Sequence, residues 1–214
     1  MITIAASIHC HSVTDRLEVQ AYLLSNRYQN IVFADGAELK ISTVPLGRKT
    51  FDAVIAPGNS IGEMSGGFDL GLVDAFGTTV QRNVTHLIDV IHEGELNVGA
   101  AILAETDSLT IPYCAYAPTM RVPRTLEIGS DIPYLATRAG LLELIKRVCW
   151  PNNVLNVLIP LMGVGTGGLQ IADVCNQIHL AVGSLQPHHG RMRNLEDGVH
   201  YDAVIRGAQP FKPR

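Results

Sequence analysis

Several protein classes are excluded by what this chain lacks. Its four cysteines, Cys10, Cys114, Cys149 and Cys175, are widely scattered and form no CxxC pair, which leaves neither a disulfide framework nor a paired-thiolate zinc site and predicts buried free thiols. Charged residues make up only 17% of the chain and the formal net charge is −4. That balance gives no basic surface with which to displace the counterions of a nucleic acid, so a nucleic-acid partner is not expected beyond small local patches. No apolar run approaches the ~20 residues needed to span a bilayer, and the first residues lack a basic flank followed by a long apolar segment. A cytoplasmic protein with no membrane partner is the expectation. No low-complexity run or internal repeat stands out.

Metal chemistry is equally thin. His9-Cys10-His11 would place His9 and His11 on one face of a strand, but two ligands do not make a site. No spacing brings His188-His189 to them. Neither a metal nor a resident cofactor is expected.

With 214 residues, of which 47% are hydrophobic, the chain can build one well-packed core but not two ordinary domains and a linker. The expectation is one domain, 1–214, with 184–214 as a C-terminal extension. That extension is richer in Pro, His, Arg and Gly, and its single apolar island, Tyr201–Ile205, reads as part of a packed tail or as a terminal strand.

The body of the chain alternates strand and helix patterns. A β-branched stretch, Met1–Cys10, precedes a helical pattern at Thr14–Leu24 with Ser12 or Thr14 as cap, then a strand at Asn30–Ala34 and a short one at Ile41–Val44. Phe51–Ala56 and Val154–Leu161 are continuous apolar runs, the signature of strands covered on both faces. Leu70–Phe76 and Val80–Ile91 read as helices separated at Gly77, and Gly99–Ala104 and Tyr113–Ala117 as short strands. Ile132–Val148 is the longest helical pattern, with Leu135, Ala139, Leu142, Ile145 and Val148 on one face, and Ile171–Val182 closes the series. This order predicts an α/β fold: three layers, α/β/α, around a mixed, largely parallel sheet.

Both buried strands run into glycine-rich turns. The first continues as Pro57-Gly-Asn-Ser60 and Ser65-Gly-Gly-Phe-Asp69, the second as Gly163-Val-Gly-Thr-Gly-Gly168. Glycines at a strand end let backbone N–H groups approach an anion, and a following helix adds its positive end. Such loops can also be mere tight turns, but their shared placement after the two most apolar strands favours a ligand, and two phosphate-sized loops suggest a diphosphate. Gly163-x-Gly165-x-x-Gly168 satisfies the dinucleotide fingerprint literally, yet that fingerprint opens a long alternating domain, and too little chain follows Gly168 for one. Neither loop ends in Gly-Lys-Ser/Thr, so a Walker-type ATPase is not expected.

Val54-Ile-Ala-Pro-Gly-Asn-Ser60 followed by Met64-Ser-Gly-Gly-Phe-Asp69 resembles the macro domain signature, a strand ending in Asn-Ala-Ala-Asn that leads into a Gly-Gly-Gly-Val-Asp-like loop. Gly94–Ala101 resembles that family's Gly-x-Ala segment, Ala117-Pro-Thr-Met-Arg-Val-Pro123 a stretch of a bacterial and phage-type subgroup, and Ile159–Gly168 the second phosphate loop. The resemblance implies an ADP-ribose-binding α/β/α domain. Asn59 would contact distal-ribose hydroxyls, Gly66 and Gly67 would wrap that ribose with Pro57, Gly58, Ser60, Ser65 and Phe68 around them, and Gly163, Val164, Gly165, Thr166, Gly167, Gly168 and Leu169 would hold the diphosphate. Asp35, or less well Glu38, would accept from the adenine amino group, the alternative being that this segment is a solvated turn. Arg121 and Arg124 stand beside the Ala-Pro-Thr-Met motif, either as phosphate or substrate contacts or as surface charges.

Asp69 sits where the hydrolysing branch of the family carries a catalytic aspartate that orients or deprotonates water, with Asn59 holding the sugar. Asp69 also fits a helix cap. The resemblance therefore implies hydrolysis of an ADP-ribosyl derivative, whether a modified protein, O-acetyl-ADP-ribose or ADP-ribose phosphate. Two departures favour the alternative, a non-catalytic reader or sensor of ADP-ribose or an NAD-derived signal: Ala56 replaces the first signature asparagine, and Gly167 replaces an aromatic residue of the second loop. A structural protein that has lost the ligand is a third alternative.

Overall fold

The computed structural model describes residues 2–10, 12–25, 31–32, 38–42, 46, 48, 50–147, 150–185 and 195–207. Among these, seven strands form one sheet: β1 (Thr3–His9), β2 (Ile31–Val32), β3 (Glu38–Ser42), β4 (Ala53–Ala56), β5 (Ile102–Glu105), β6 (Tyr113–Tyr116) and β7 (Val154–Pro160). Their order is β2-β3-β1-β7-β4-β6-β5. The five inner strands are mutually parallel, and only the edge pairs, β2 with β3 and β5 with β6, are antiparallel. One consequence governs the rest. Parallel strands end at the same edge of the sheet, so the segments that follow β7, β4 and β6 emerge side by side.

Helices cover both faces, which is why the inner strands read as unbroken apolar runs. On one face α1 (Val13–Ser25), α4 (Ile132–Arg147) and α5 (Ile171–Gly183) enclose Ile4, Ile8, Ile55, Val157 and Ile159 with Val19, Leu141, Leu144 and Ile178. On the other, α2 (Gly67–Phe76) and α3 (Thr79–His92) press Leu72, Val84 and Ile88 onto Val54, Cys114 and Tyr116. β4 feeds both cores, Ala53 and Ile55 to one and Val54 and Ala56 to the other, and all four are fully buried. This is the three-layer arrangement that the alternating pattern predicts. Ser12 provides the cap of α1 through a reciprocal capping box: its Oγ accepts from Asp15 N–H and its own N–H donates to the Asp15 carboxylate. Cys10, Cys114 and Cys175 are buried free thiols, as expected, while Cys149, His11, His188 and His189 lie outside the described residues. Among the described residues no cluster of His, Cys, Asp and Glu is arranged to hold a metal ion, and no helix is long and apolar enough to cross a membrane.

Of the two readings left open for Tyr201–Ile205, the packed tail holds and the terminal strand does not: the segment is part of α6 (Leu195–Arg206). Tyr201 and Ile205 are one helical turn apart, so both pack on Tyr134 and Ala181, and Arg206 reaches Asp131 at 2.9 Å. A five-residue island is too short to reveal its period. The buried face of α4 is also rotated from the one expected: Ala136, Gly140, Leu141 and Leu144 point inward, and Leu135 is partly exposed. The small residues explain this, because Ala136 and Gly140 let the helix lie close on the sheet. A Cβ at Gly140 would come within 2.8 Å of Ile55 Cγ2. Gly140→Val is therefore expected to lower the urea midpoint through overpacking, by about 1–3 kcal/mol of stability; an unchanged midpoint would mean that α4 sits farther from the sheet.

Candidate functional site

The pairing between β4 and β6 does not stop where the strands end. Ala117 N–H donates to Ala56 C=O (2.9 Å), Thr119 N–H to Gly58 C=O (3.0 Å) and Ser60 N–H to Arg121 C=O (3.2 Å), with a further parallel bridge at Asn59 and Met120. Residues 56–60 and 117–121 thus leave the sheet side by side. Tyr116 fixes the turn beneath them. Its hydroxyl donates to Asn59 C=O (3.0 Å) and accepts from Asn59 N–H (2.9 Å), and its ring lies where any Cβ on residue 58 would stand, so Gly58 has to be glycine. Burial, then the nearby Asp69 charge, pushes the phenol's pKa up, so it stays a protonated donor.

The side chain of Asn59 also serves the loop. Its Oδ1 accepts from Ile61 N–H (3.1 Å) and Glu63 N–H (3.2 Å), and its Nδ2 donates to Glu63 C=O (2.7 Å). One amide N–H is left over. Phe68, farther along, packs its ring against His9 at the end of β1, with ring centroids 5.6 Å apart.

Helix α2 begins at Gly67, earlier than the expected Leu70, behind an extended N-cap at Gly66. The sequence expectation placed Asp69 at the helix boundary; the structure places it inside the first turn, facing the sheet. It is 6% exposed, and its Oδ1 has no hydrogen-bond partner. Burial raises its pKa from the ordinary 3.8 to about 7. The positive end of α2 favours a carboxylate there, yet Oδ1 is not spent on a cap. The first N–H groups of the helix have no acceptor within it and remain available to an anion.

The second loop folds on itself. Leu169 N–H donates to Gly163 C=O (3.0 Å), Gly168 N–H to Gly165 C=O (3.1 Å) and Val164 N–H to Leu161 C=O (3.3 Å). At Gly167 a Cβ would overlap the Gly163 carbonyl, so the aromatic residue that the resemblance would place here has no room on this backbone. Among the described residues the N–H groups of Gly163, Gly165, Thr166 and Gly167 have no backbone acceptor.

These three segments enclose one cleft of about 300 Å³. From the first come Pro57, Gly58, Asn59, Ser65, Gly66, Gly67, Phe68 and Asp69, and from the second Gly163, Gly165, Thr166 and Gly167. The two glycine loops thus converge on one cleft. Four of the named residues stay out of the lining: Ser60, buried with its N–H and C=O both bonded, and Val164, Gly168 and Leu169, whose N–H groups close the second loop. Asp35 lies outside the described residues. Sequence reasoning did not name Ile61, Glu63, Thr119, Met120, Val122, Pro123 or Leu161, which also line the cleft. Its only signal for part of this wall was the Ala117–Pro123 motif. Arg121 is not in the lining; it pairs with Glu95 at 2.7 Å on the surface.

Because the folded state holds the Asp69 proton more tightly than the unfolded chain does, its contribution to stability is complete below the ordinary carboxylate pKa and is lost as pH rises through about 7. Asp69→Asn is expected to be more stable than the native protein at pH 8, by thermal melts, with the gap closing toward pH 4. An equal melting temperature across that range would mean a solvated carboxylate. Tyr116→Phe keeps the ring but strands the Asn59 N–H and C=O, and should cost about 1–3 kcal/mol in urea unfolding. A neutral effect would show the hydroxyl to be dispensable.

Comparison with known proteins agrees with this geometry. The Macro domain family model matches residues 55–178, which spans both glycine loops and the 117–123 wall. An uncharacterized protein of Aeropyrum pernix is 29% identical over 183 residues, covering 80% of this chain and 90% of its own. Among solved structures, the macrodomain of Mycobacterium tuberculosis DarG is 25% identical with a TM-score of 0.50, over 65% of this chain and 86% of that one. A mutant macrodomain of Oceanobacillus iheyensis, solved with ADPR, is 15% identical with a TM-score of 0.55, over 77% of this chain and 87% of its own. The Trypanosoma brucei macrodomain in complex with ADP is 17% identical with a TM-score of 0.51, over 68% of this chain and 56% of that one. Since the family model takes in more than half of the residues, the chain belongs to the macro domain family.

Proposed function

We propose that the cleft binds ADP-ribose and that the protein hydrolyses an ADP-ribosyl derivative there. The observation that carries the reading is the convergence of unpaired main-chain N–H groups from two glycine loops and the N-terminus of α2 on one cleft. Such groups suit a diphosphate: they present fixed dipoles, need no reorganisation and leave the anion close to the backbone. Gly163 to Gly167 take the diphosphate in this reading. Gly66 to Asp69 and the remaining Asn59 N–H take the distal ribose. The ligand found with the Oceanobacillus iheyensis relative is of this kind.

For hydrolysis, Asp69 is the base. It takes a proton from a water as the water oxygen bonds to the anomeric carbon, the bond from that carbon to its substituent breaks, and the proton passes to the leaving group. A carboxyl raised to about 7 suits a general base near neutral pH. Attached protein is one substrate class compatible with an open cleft, and the cytoplasm is the compartment this reading takes.

A reader without turnover is favoured by one specific observation, the use of Asn59 Oδ1 and one of its amide hydrogens inside the loop. Calorimetry and turnover separate the readings. Gly165 has open space around its missing Cβ, so Gly165→Leu is expected to leave the melting temperature unchanged and weaken ADP-ribose binding at least about tenfold, by placing a side chain in the cleft. Equal affinity would remove the binding reading. Should the protein be a hydrolase, kcat/KM will rise about tenfold per pH unit up to near pH 7 and then flatten, and Asp69→Ala will lose turnover while keeping affinity. Tight binding with no turnover on protein, acetyl or phosphate derivatives would make it a reader.

A further inference from the structure

Resting on the ADP-ribose reading above, we propose that the β6 side of the cleft is a subsite for an uncharged group with an apolar body attached to the distal anomeric carbon, and that it disfavours anionic groups. The direction follows from the sheet order. The diphosphate loop follows β7, the ribose loop follows β4, and the third wall follows β6, the next strand across. A substituent on the ribose that points away from the diphosphate meets that third wall.

What it meets there is aliphatic surface. Ile61 is 54% exposed and Val122 53% exposed, yet both line the cleft, and Met120 and Pro123 lie beside them. Aliphatic side chains left in water around a cleft gain from covering an apolar group. Several polar groups of this end are already committed. Thr119 donates its hydroxyl to Pro57 C=O at 3.2 Å, Asn59 Oδ1 accepts two backbone N–H groups, and the guanidinium of Arg121 is held by Glu95.

The charged side chains that line the cleft, among the described residues, are Glu63 and Asp69. An anionic substituent at the anomeric carbon would share the cleft with Glu63, and with Asp69 wherever it is ionised, with no lining cation among the described residues to offset them. The unpaired backbone N–H groups belong to the second loop and to the start of α2, whereas in the third wall Thr119 N–H is already bonded to Gly58 C=O. Apolar contact and like-charge repulsion therefore act in the same direction. Of the derivatives open to a macro-type hydrolase, this places phosphorylated ADP-ribose last and uncharged glycosides or acyl derivatives first.

The test is calorimetry on the full chain with three probes: ADP-ribose, its benzyl glycoside at the distal anomeric carbon, and ADP-ribose phosphorylated at that carbon. The benzyl probe is expected to bind at least about fivefold more tightly than ADP-ribose, and the phosphate at least about tenfold more weakly. Val122→Ser and Ile61→Ser should erase the benzyl advantage while leaving ADP-ribose affinity within about twofold, and Glu63→Gln should narrow the phosphate gap. Binding of the phosphate as tight as ADP-ribose, its rapid turnover, or an Ile61→Ser effect equal on all three probes would overturn the proposal while leaving the ADP-ribose reading intact. Failure of ADP-ribose itself to bind would remove that reading, and this one with it.

Discussion

The parallel ladder through β7, β4 and β6 is the constraint on which the site depends. Because these strands point the same way and sit side by side, three turns with unrelated sequences are delivered to one edge of the sheet. The β4–β6 pairing then continues beyond the strands as main-chain bonds between 56–60 and 117–121. Side chains contribute to this by staying small or by filling one set place. Tyr116 reaches under the turn to hold both backbone groups of Asn59, and Gly58 gives its ring room. The two glycine loops thus line their part of the cleft largely with backbone, which suits a ligand with phosphates to hold.

The same ladder explains the state of Asp69. Helix α2 starts early, at Gly67, and turns the carboxyl toward the Tyr116 and Cys114 side of the sheet instead of into water. Burial without a partner for Oδ1 raises its proton affinity. A fold selected only for stability gains nothing from this, since an unpaired buried carboxyl is a cost. A buried carboxyl lining a cleft, with its proton affinity raised toward neutral pH, is a feature more common at functional sites than in structural cores.

Much of the architecture was legible in the sequence because its central strands are buried on both faces and α3 carries strong helical periodicity. β4 and β7 announced themselves as unbroken apolar runs, and the glycine turns after them marked the two loops. Three features were not legible, each for a physical reason. The inward face of α4 is set by Ala136 and Gly140, residues whose small size carries little hydrophobic signal but permits close approach. The Tyr201–Ile205 island was too short to fix its period, so its helix emerged only with its packing on α4 and α5. The third wall, Thr119 to Pro123, is positioned by main-chain pairing to 58–60 and contains no catalytic residue type, so composition and spacing alone are silent about it; only likeness to a known motif drew attention to that stretch. Position 167 is a related case. A family aromatic is missing there, and the crossing of the Gly163 carbonyl explains why the backbone cannot carry it.

The central claim is that main-chain N–H groups of the two glycine loops hold one ligand together. An amide-resolved nuclear magnetic resonance titration with ADP-ribose tests it most directly. The account predicts saturable shifts at Gly66 to Asp69 and at Gly163, Gly165, Thr166 and Gly167 with one common dissociation constant. Shifts confined to one loop, or centred on residues away from the cleft, would contradict it.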